Sequence, residues 1–388
     1  MQQGAEHTSY RTDPPPAARS ARPMLRRWLW FGACAVLFCV GGLVFAAGIG
    51  LELGTSAAVV GLLTALLPLA IVVPAVLWLD RFESEPARYL LAAFCWGACV
   101  AATVSLVLNT GSTLFISRIA GQEPALAVGA VVIAPVVEET SKGVGVLLVL
   151  LLRRREFDGI VDGIVYSAIC AAGFAFAENV LYFGRGALEG GTQGLVAVLV
   201  VRVVFGPFAH PLFTACTGVG LGIAAGRAHG VLRWVAPVCG LLAAMVLHAL
   251  WNASTLLGLD GAVTAYVFLQ VPLFAAAIGF ALWARHREAR VLATYLEGYG
   301  RAGWFTPQEV AMLSNVRARR QALAWARGSG GAREHADMRR LHDDAVDLAM
   351  LRQRIVHGTA PADAESQERG LLREIAGVRA RLYAPRPG

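Results

Sequence analysis

An all-α, polytopic transmembrane helical bundle of about eight spans, with a small soluble helical C-terminal tail, is the fold that the sequence predicts. Three observations carry this. Apolar residues make up 56% of the 388 residues and charged residues only 16%, whereas soluble globular chains carry roughly a quarter charged residues. Mean hydropathy is +0.56. Apolar runs of about 20 residues, the length that crosses a bilayer as a helix, recur along the chain. A single soluble core, a disordered chain and a secreted disulfide scaffold are excluded.

Taken in order, residues 1–27 are polar and basic, with Pro14-Pro15-Pro16 and Arg11, Arg19, Arg22, Arg26 and Arg27. This composition predicts a disordered cytoplasmic lead. Trp28–Gly50 is too long for a signal-peptide core and reads as an uncleaved first span. Further spans are expected near 57–79, 88–110, 125–152, 159–183, 203–226, 235–257 and 263–284. The run 194–226 is the ambiguous one, because it holds Arg202 and is interrupted by Pro207 and Pro211. It is counted as one span, since two would break the alternation of the loops.

That alternation comes from arginine. The N-terminal set, Arg81 and Arg88, Arg153-Arg154-Arg155, Arg227 and Arg233, and the tail fall on one side. Arg118 and Arg185, with Arg202 of the ambiguous run, fall on the other. By the positive-inside rule the chain is a multi-pass protein of the cell membrane with both termini cytoplasmic. The net charge of +7 then belongs to cytoplasmic flanks and indicates no nucleic acid.

The expected organisation is a lead (1–27), a transmembrane domain (28–284) and a cytoplasmic tail (285–388). In the tail, Thr306-Pro307-Gln308-Glu309 has the form of an N-cap, a first-position proline and a capping-box glutamate. A helix is expected from there to about Arg327, broken by Gly328-Ser329-Gly330-Gly331, with two more near 333–356 and 364–382. No catalytic pattern appears, so the tail reads as a small bundle or a module for a cytoplasmic partner. The seven cysteines lie in apolar runs without a CxxC pair and read as small buried hydrophobes.

Ionisable groups inside apolar spans are costly and mark function by default. They are Glu138, Glu139, Lys142, Asp162, Glu178, His210 and His248, with Asn179 and Asn252 beside them. Glu138 and Lys142, the only lysine in the chain, stand at i, i+4, the better orientation for an ion pair. Glu138 and Glu139 are adjacent, about 100° apart around a helix. His248 and Asn252 lie one turn apart on one face. Each group also has a plain structural reading: an ion pair that packs helices, a glutamate facing the outer water, a histidine that bonds two helices. Counting along the spans puts Glu138 and His248 near mid-membrane, with Glu178 and His210 further out, so the set can converge on one polar cavity open to the outer side.

Carboxylates with two histidines suit water activation. A glutamate can act as general base; His and Glu can hold zinc with a position open for water. The soluble HExxH signature is missing, and spacing alone leaves a metal-bound and a metal-free centre open. The same residue types also suit an ion- or proton-coupled transporter, but no internal repeat pairs two halves of the chain.

Four segments then resemble the PrsW-type intramembrane proteases, relatives of the CAAX prenyl and bacteriocin-processing membrane proteases. They are Glu138-Glu139-Thr140-Ser141-Lys142, Phe174-Ala175-Phe176-Ala177-Glu178-Asn179, Phe208-Ala209-His210-Pro211-Leu212-Phe213-Thr214 and His248-Ala249-Leu250-Trp251-Asn252. Asp80-Arg81-Phe82-Glu83 and Asp158-Gly159-Ile160-Val161-Asp162-Gly163 are similar to the family too. The resemblance covers roughly residues 55–285. It implies hydrolysis of peptide bonds in membrane-protein substrates, with a single-span anti-sigma-factor-like protein as the expected type. It implies Glu138, Glu139, His210 and His248 at the active centre, with Lys142, Glu178, Asn179 and Asn252 in support. A metallopeptidase would place zinc on His210, His248 and Glu178. In a metal-free glutamate protease, Glu138 and His210 would activate water, and His248 and Asn252 would stabilise the oxyanion.

Overall fold

The computed structural model describes residues 22–80, 85–153, 157, 159–226 and 230–383. Most of the basic lead, together with Arg81, Glu83, Arg154, Arg155, Asp158 and Arg227, lies outside the described residues. Among those described the chain is all helix and contains no strand.

Helix α1 (Arg22–Thr64) starts six residues before the expected first span and bends at Gly54, whose φ of 70° only glycine adopts freely. Then come α2 (Leu66–Leu79), α3 (Ala87–Cys95), a π-helical turn (Trp96–Ala101) and α4 (Ala102–Ala120). After Gly121, α5 (Gln122–Val128) passes through a second π-turn (Gly129–Ile133) into α6 (Ala134–Leu152). Helix α7 (Ile160–Leu199) is interrupted at Gly191 (φ 56°) and ends in a third π-turn, Val200–Phe205. Helices α8 (Ala209–Gly226) and α9 (Leu232–Thr255) follow, then α10 (Gly258–Ala265), a fourth π-turn (Tyr266–Gln270) and α11 (Val271–Arg301).

Five stretches among the described residues are long and apolar enough to cross a membrane: Gly32–Leu79, Ala87–Ala120, Ile160–Gly226, Leu232–Thr255 and Asp260–Arg301. Two of them, Gly32–Leu79 and Ile160–Gly226, contain a glycine break, at Gly54 and Gly191, and so hold more than one helical segment. Helix α6 is not among the five, because it carries Glu138, Glu139 and Lys142. Only 11% of the most apolar window of Leu232–Thr255 is buried against protein; its exposed side chains, among them Val235, Val238, Leu242 and Val246, form an apolar outer face of the kind lipid covers. The cysteines follow the same logic. Only Cys170 is buried, while Cys34, Cys39 and Cys239 are exposed and all seven are free. An apolar run marks contact with lipid as readily as contact with protein.

Helix α7 is the central post. From Val161 to Phe174 every residue is buried, and it packs against α1, α2, α3, α6 and α8. Its contact with α8 is set by two glycines. A Cβ on Gly163 would stand 2.0 Å from the Gly218 carbonyl oxygen, and one on Gly218 would stand 2.0 Å from that of Gly163. The two backbones therefore touch, as small residues permit between membrane helices. This holds α7, the bearer of Glu178, against α8, the bearer of His210.

The tail is a second core. Helix α11 runs without a break through the expected boundary at 284/285 and contributes Leu292, Leu296 and Tyr299 to it. Thr306 caps α12 (Pro307–Leu313), with Thr306 and Glu309 bonded reciprocally as the capping box requires. That helix stops earlier than expected because Asn315 accepts from the Arg317 and Ala318 amides and starts a new one. Helix α13 (Val316–Val356) bends at Gly330-Gly331, and α14 (Ala364–Leu382) closes the bundle. Arg379 ties α14 to Glu309 at 2.8 and 2.9 Å.

Candidate active site

The polar groups of α6, α7, α8 and α9 meet around one cavity of about 660 Å³. Helix α6 brings three of them in two turns. Lys142 and Glu139 are fully buried, with Lys142 Nζ 2.6 Å from Glu139 Oε1. Glu138 Oε2 is 3.8 Å from the same ammonium. The i, i+4 spacing pointed to Glu138 as the partner of Lys142, yet the i, i+3 carboxylate is closer. A flexible lysine stem reaches both flanking positions, and Glu139 is the carboxylate turned into the protein. The Phe174 ring lies 4.1 Å from the ammonium and covers it.

Glu139 is a hub. Thr214 Oγ1 donates to its Oε2 at 2.8 Å, and His248 Nδ1 lies 3.0 Å from its Oε1. With that nitrogen directed to a carboxylate, His248 keeps Nε2 for the cavity, the arrangement that commonly orients a ligating histidine. His248 Nε2 lies 3.8 Å from Glu138 Oε2. His210 is engaged on both sides: Nδ1 is 3.3 Å from Lys142 Nζ, and Nε2 is 2.8 Å from Glu178 Oε2. Arg202 Nη1 donates to the same Glu178 oxygen at 2.7 Å.

Glu138 differs from its neighbours. Asn109 on α4 donates to Oε1 at 3.2 Å, whereas Oε2 is buried and takes no hydrogen bond. Asn252 lines the cavity and donates to the Ala130 carbonyl at 2.8 Å, within the second π-turn, which it ties to α9. Asn179 is buried but stands on the other side of α7, in a small crevice with Pro68 and Pro207. Asp162 is far from this cluster. It caps the start of α7 through the Gly159 amide, 2.7 Å from its Oδ2.

Glu138, His210 and His248 each offer one atom such that all three lie within 4.8 Å of one another. These residues can hold a divalent metal ion, and their chemistry fits one. Glu138 Oε2, which takes no hydrogen bond, and the outward Nε2 of His248 are suitable donors. His210 would exchange one of its two present contacts for the ion. Glu178, expected among the ligands, adjoins the group through His210 and is occupied by Arg202.

Four residues at or beside this site had no role assigned from the sequence. Asn109 and Arg202 are polar interruptions of apolar runs, a signal that was there to use. Thr214 carries none, since a threonine in a span commonly bonds its own helix. Trp96, which donates to the Ser141 carbonyl at 2.9 Å, is likewise visible only in three dimensions.

Comparison with known proteins converges on the same stretch. The family model for PrsW family intramembrane metalloproteases matches residues 85–277. The chain is 31% identical over 143 residues to Protease PrsW of Geobacillus kaustophilus, 37% of this chain and 57% of that protein. It is 32% identical over 130 residues to Protease PrsW of Clostridioides difficile, 32% of this chain and 53% of that protein. The chain thus spans about half the length of these curated relatives. No solved structure matches. Glu138-Glu139, Glu178-Asn179, His210 and His248 all lie inside the matched stretch, and it is this stretch of the chain that is similar to the PrsW family of intramembrane metalloproteases.

Proposed function

We propose that the chain hydrolyses peptide bonds of membrane-protein substrates within or at the outer edge of the bilayer, with single-span proteins as the substrate type. One observation carries this reading: Glu138, His210 and His248 face one another inside a cavity enclosed by apolar helices. Glu138, with Oε1 held by Asn109, takes the water proton on Oε2 and returns it to the leaving amine. Glu139 accepts from His248 Nδ1–H and fixes the ring; in the metal-free route the ring carries a second proton on Nε2, which donates to the developing oxyanion. Lys142 balances the carboxylates of α6 without reaching the cavity. In the alternative, metal-bound route an ion held by Glu138, His210 and His248 would supply Lewis-acid polarisation of water and carbonyl, and Glu138 Oε2 would then serve as a ligand rather than as the base.

The proposal extends to placement. Eight spans, both termini cytoplasmic and a cavity open outward follow from the arginine distribution, with a lead (1–27), a membrane protease domain (28–284) and a tail (285–388) that binds a cytoplasmic partner. Reporter fusions after Gly190 and Arg287 should report outside and inside respectively.

The deciding experiment uses purified full-length chain in liposomes with a panel of single-span proteins. Glu138→Gln keeps the shape but removes the base, and cleavage should fall by at least about 100-fold. Near wild-type cleavage by that variant rejects the mechanism. Metal analysis of wild type and His248→Ala then separates the two chemical routes: a bound ion lost in the variant supports the metal route.

A further inference from the structure

Arg202 lies at the third π-turn, among apolar residues, where an arginine is expensive. Its surroundings show what holds it. Two side chains of α7 grip it, one turn apart. Glu178 accepts from Nη1 at 2.7 Å, and the Tyr182 ring lies 3.7 Å from the guanidinium carbon. The oxygen that accepts from Arg202 is the one 2.8 Å from His210 Nε2. Arg202 and His210 stand on opposite sides of the break at Gly206-Pro207, where the π-turn ends and α8 begins. Glu178 bridges that break from the α7 side.

We infer that Arg202 is a positioning residue for His210, acting through Glu178. The guanidinium fixes the carboxylate in one place, and the carboxylate fixes the ring. Without it, Glu178 would be left in an apolar wall near Glu138, with no cation to hold it against His210. The Tyr182 ring holds the flat guanidinium against α7, so a lysine, with a point charge and no flat face, would do the task only in part. The inference rests on the proteolytic reading for its effect on rate, but the geometry it describes can be measured without any substrate.

The test takes Arg202→Met, Arg202→Lys, Glu178→Gln and the double variant Arg202→Met/Glu178→Gln in the full-length protein. Cleavage of the single-span panel gives kcat and KM. Carbethoxylation of His210 by diethyl pyrocarbonate, followed by mass spectrometry with and without added zinc, reports how firmly the ring is held. Arg202→Met should lower kcat by about tenfold or more with KM nearly unchanged, as loss of an outer-shell partner does. His210 should react several times faster, and Arg202→Lys should recover part of both. The double variant should be no worse than Glu178→Gln alone, because both substitutions cut one chain of contacts. It also carries no unpaired carboxylate at position 178, so it remains informative if Arg202→Met fails to fold. The inference is overturned if Arg202→Met keeps wild-type kcat and His210 reactivity, if the double variant does so, or if the two losses multiply. Should the wild type cleave nothing, the proteolytic reading fails, and the reactivity of His210 decides the inference alone.

Discussion

Replacing Lys142 by alanine tests the centre at its most sensitive point. The side chain is fully buried, 2.6 Å from Glu139, 3.8 Å from Glu138 and 3.3 Å from His210 Nδ1. Its removal strands two buried carboxylates without the cation that balances them. Breaking a buried pair by deleting one partner costs about 3–5 kcal/mol, a large share of the roughly 5–15 kcal/mol that holds an ordinary domain folded. Lys142→Ala should therefore reach the membrane at a reduced level and melt well below wild type in detergent. Lys142→Arg should rescue poorly, since the larger planar head has no room beside Phe174 and Glu139. Lys142→Met/Glu139→Gln removes both charges of the closest pair and should recover much of the thermal stability. It should not recover cleavage, because the orientation of His248 depends on the Glu139 carboxylate. The assay is thermal unfolding of purified protein, followed by cleavage at a temperature where each variant is folded. A Lys142→Ala variant with wild-type melting temperature and activity would refute the pairing and the role given to Glu139.

Asn109→Asp places a second carboxylate where an amide now donates to Glu138; kcat should fall by about 10–100-fold, more than in Asn109→Ser, as comparison of the two in the cleavage assay will show. Gly218→Ala puts a methyl group 2.0 Å from the Gly163 carbonyl, so α7 and α8 must separate; a loss of at least about 1–3 kcal/mol should appear as a lower melting temperature together with lost cleavage. In the tail, burial, reinforced by Arg319, pushes His342 down from 6.5 to about 3. The unfolded tail therefore binds a proton that the folded tail refuses, and the stability held above pH 6.5 is lost as pH falls toward 3. Asp344, which burial raises to about 6, acts in the opposite sense over a narrower window. Amide exchange across 292–382 in the full chain should speed up between pH 7 and 5 after correction for intrinsic rates, and His342→Leu should abolish or reverse that trend, leaving the opposite contribution of Asp344.

The sequence carried the class of the fold because the bilayer imposes a length and a composition on anything that crosses it. It carried Glu138, Glu139, His210 and His248 because a charged or imidazole group in an apolar run has no cheap reason to be there. It failed where one atom had to be told from another. Spacing named Glu138 as the partner of Lys142, but only packing shows that Glu139 turns inward and takes Thr214, His248 and the ammonium together. Asn179 stood beside Glu178 in the motif, yet neighbours on a helix point apart, and it faces a different crevice. Helix ends were blurred by the π-turns, which change register without any marker residue.

The continuity of α11 has a mechanical meaning. One helix of 31 residues carries Ala284 into the membrane core and Leu292, Leu296 and Tyr299 into the tail core. At 1.5 Å per residue it is a rod about 45 Å long, and no hinge or tether separates the parts it joins. The tail cannot swing as a ball on a string. Its azimuth about the bilayer normal is inherited from the membrane end of that rod, and a twist applied to one end arrives at the other as rotation rather than being absorbed by slack.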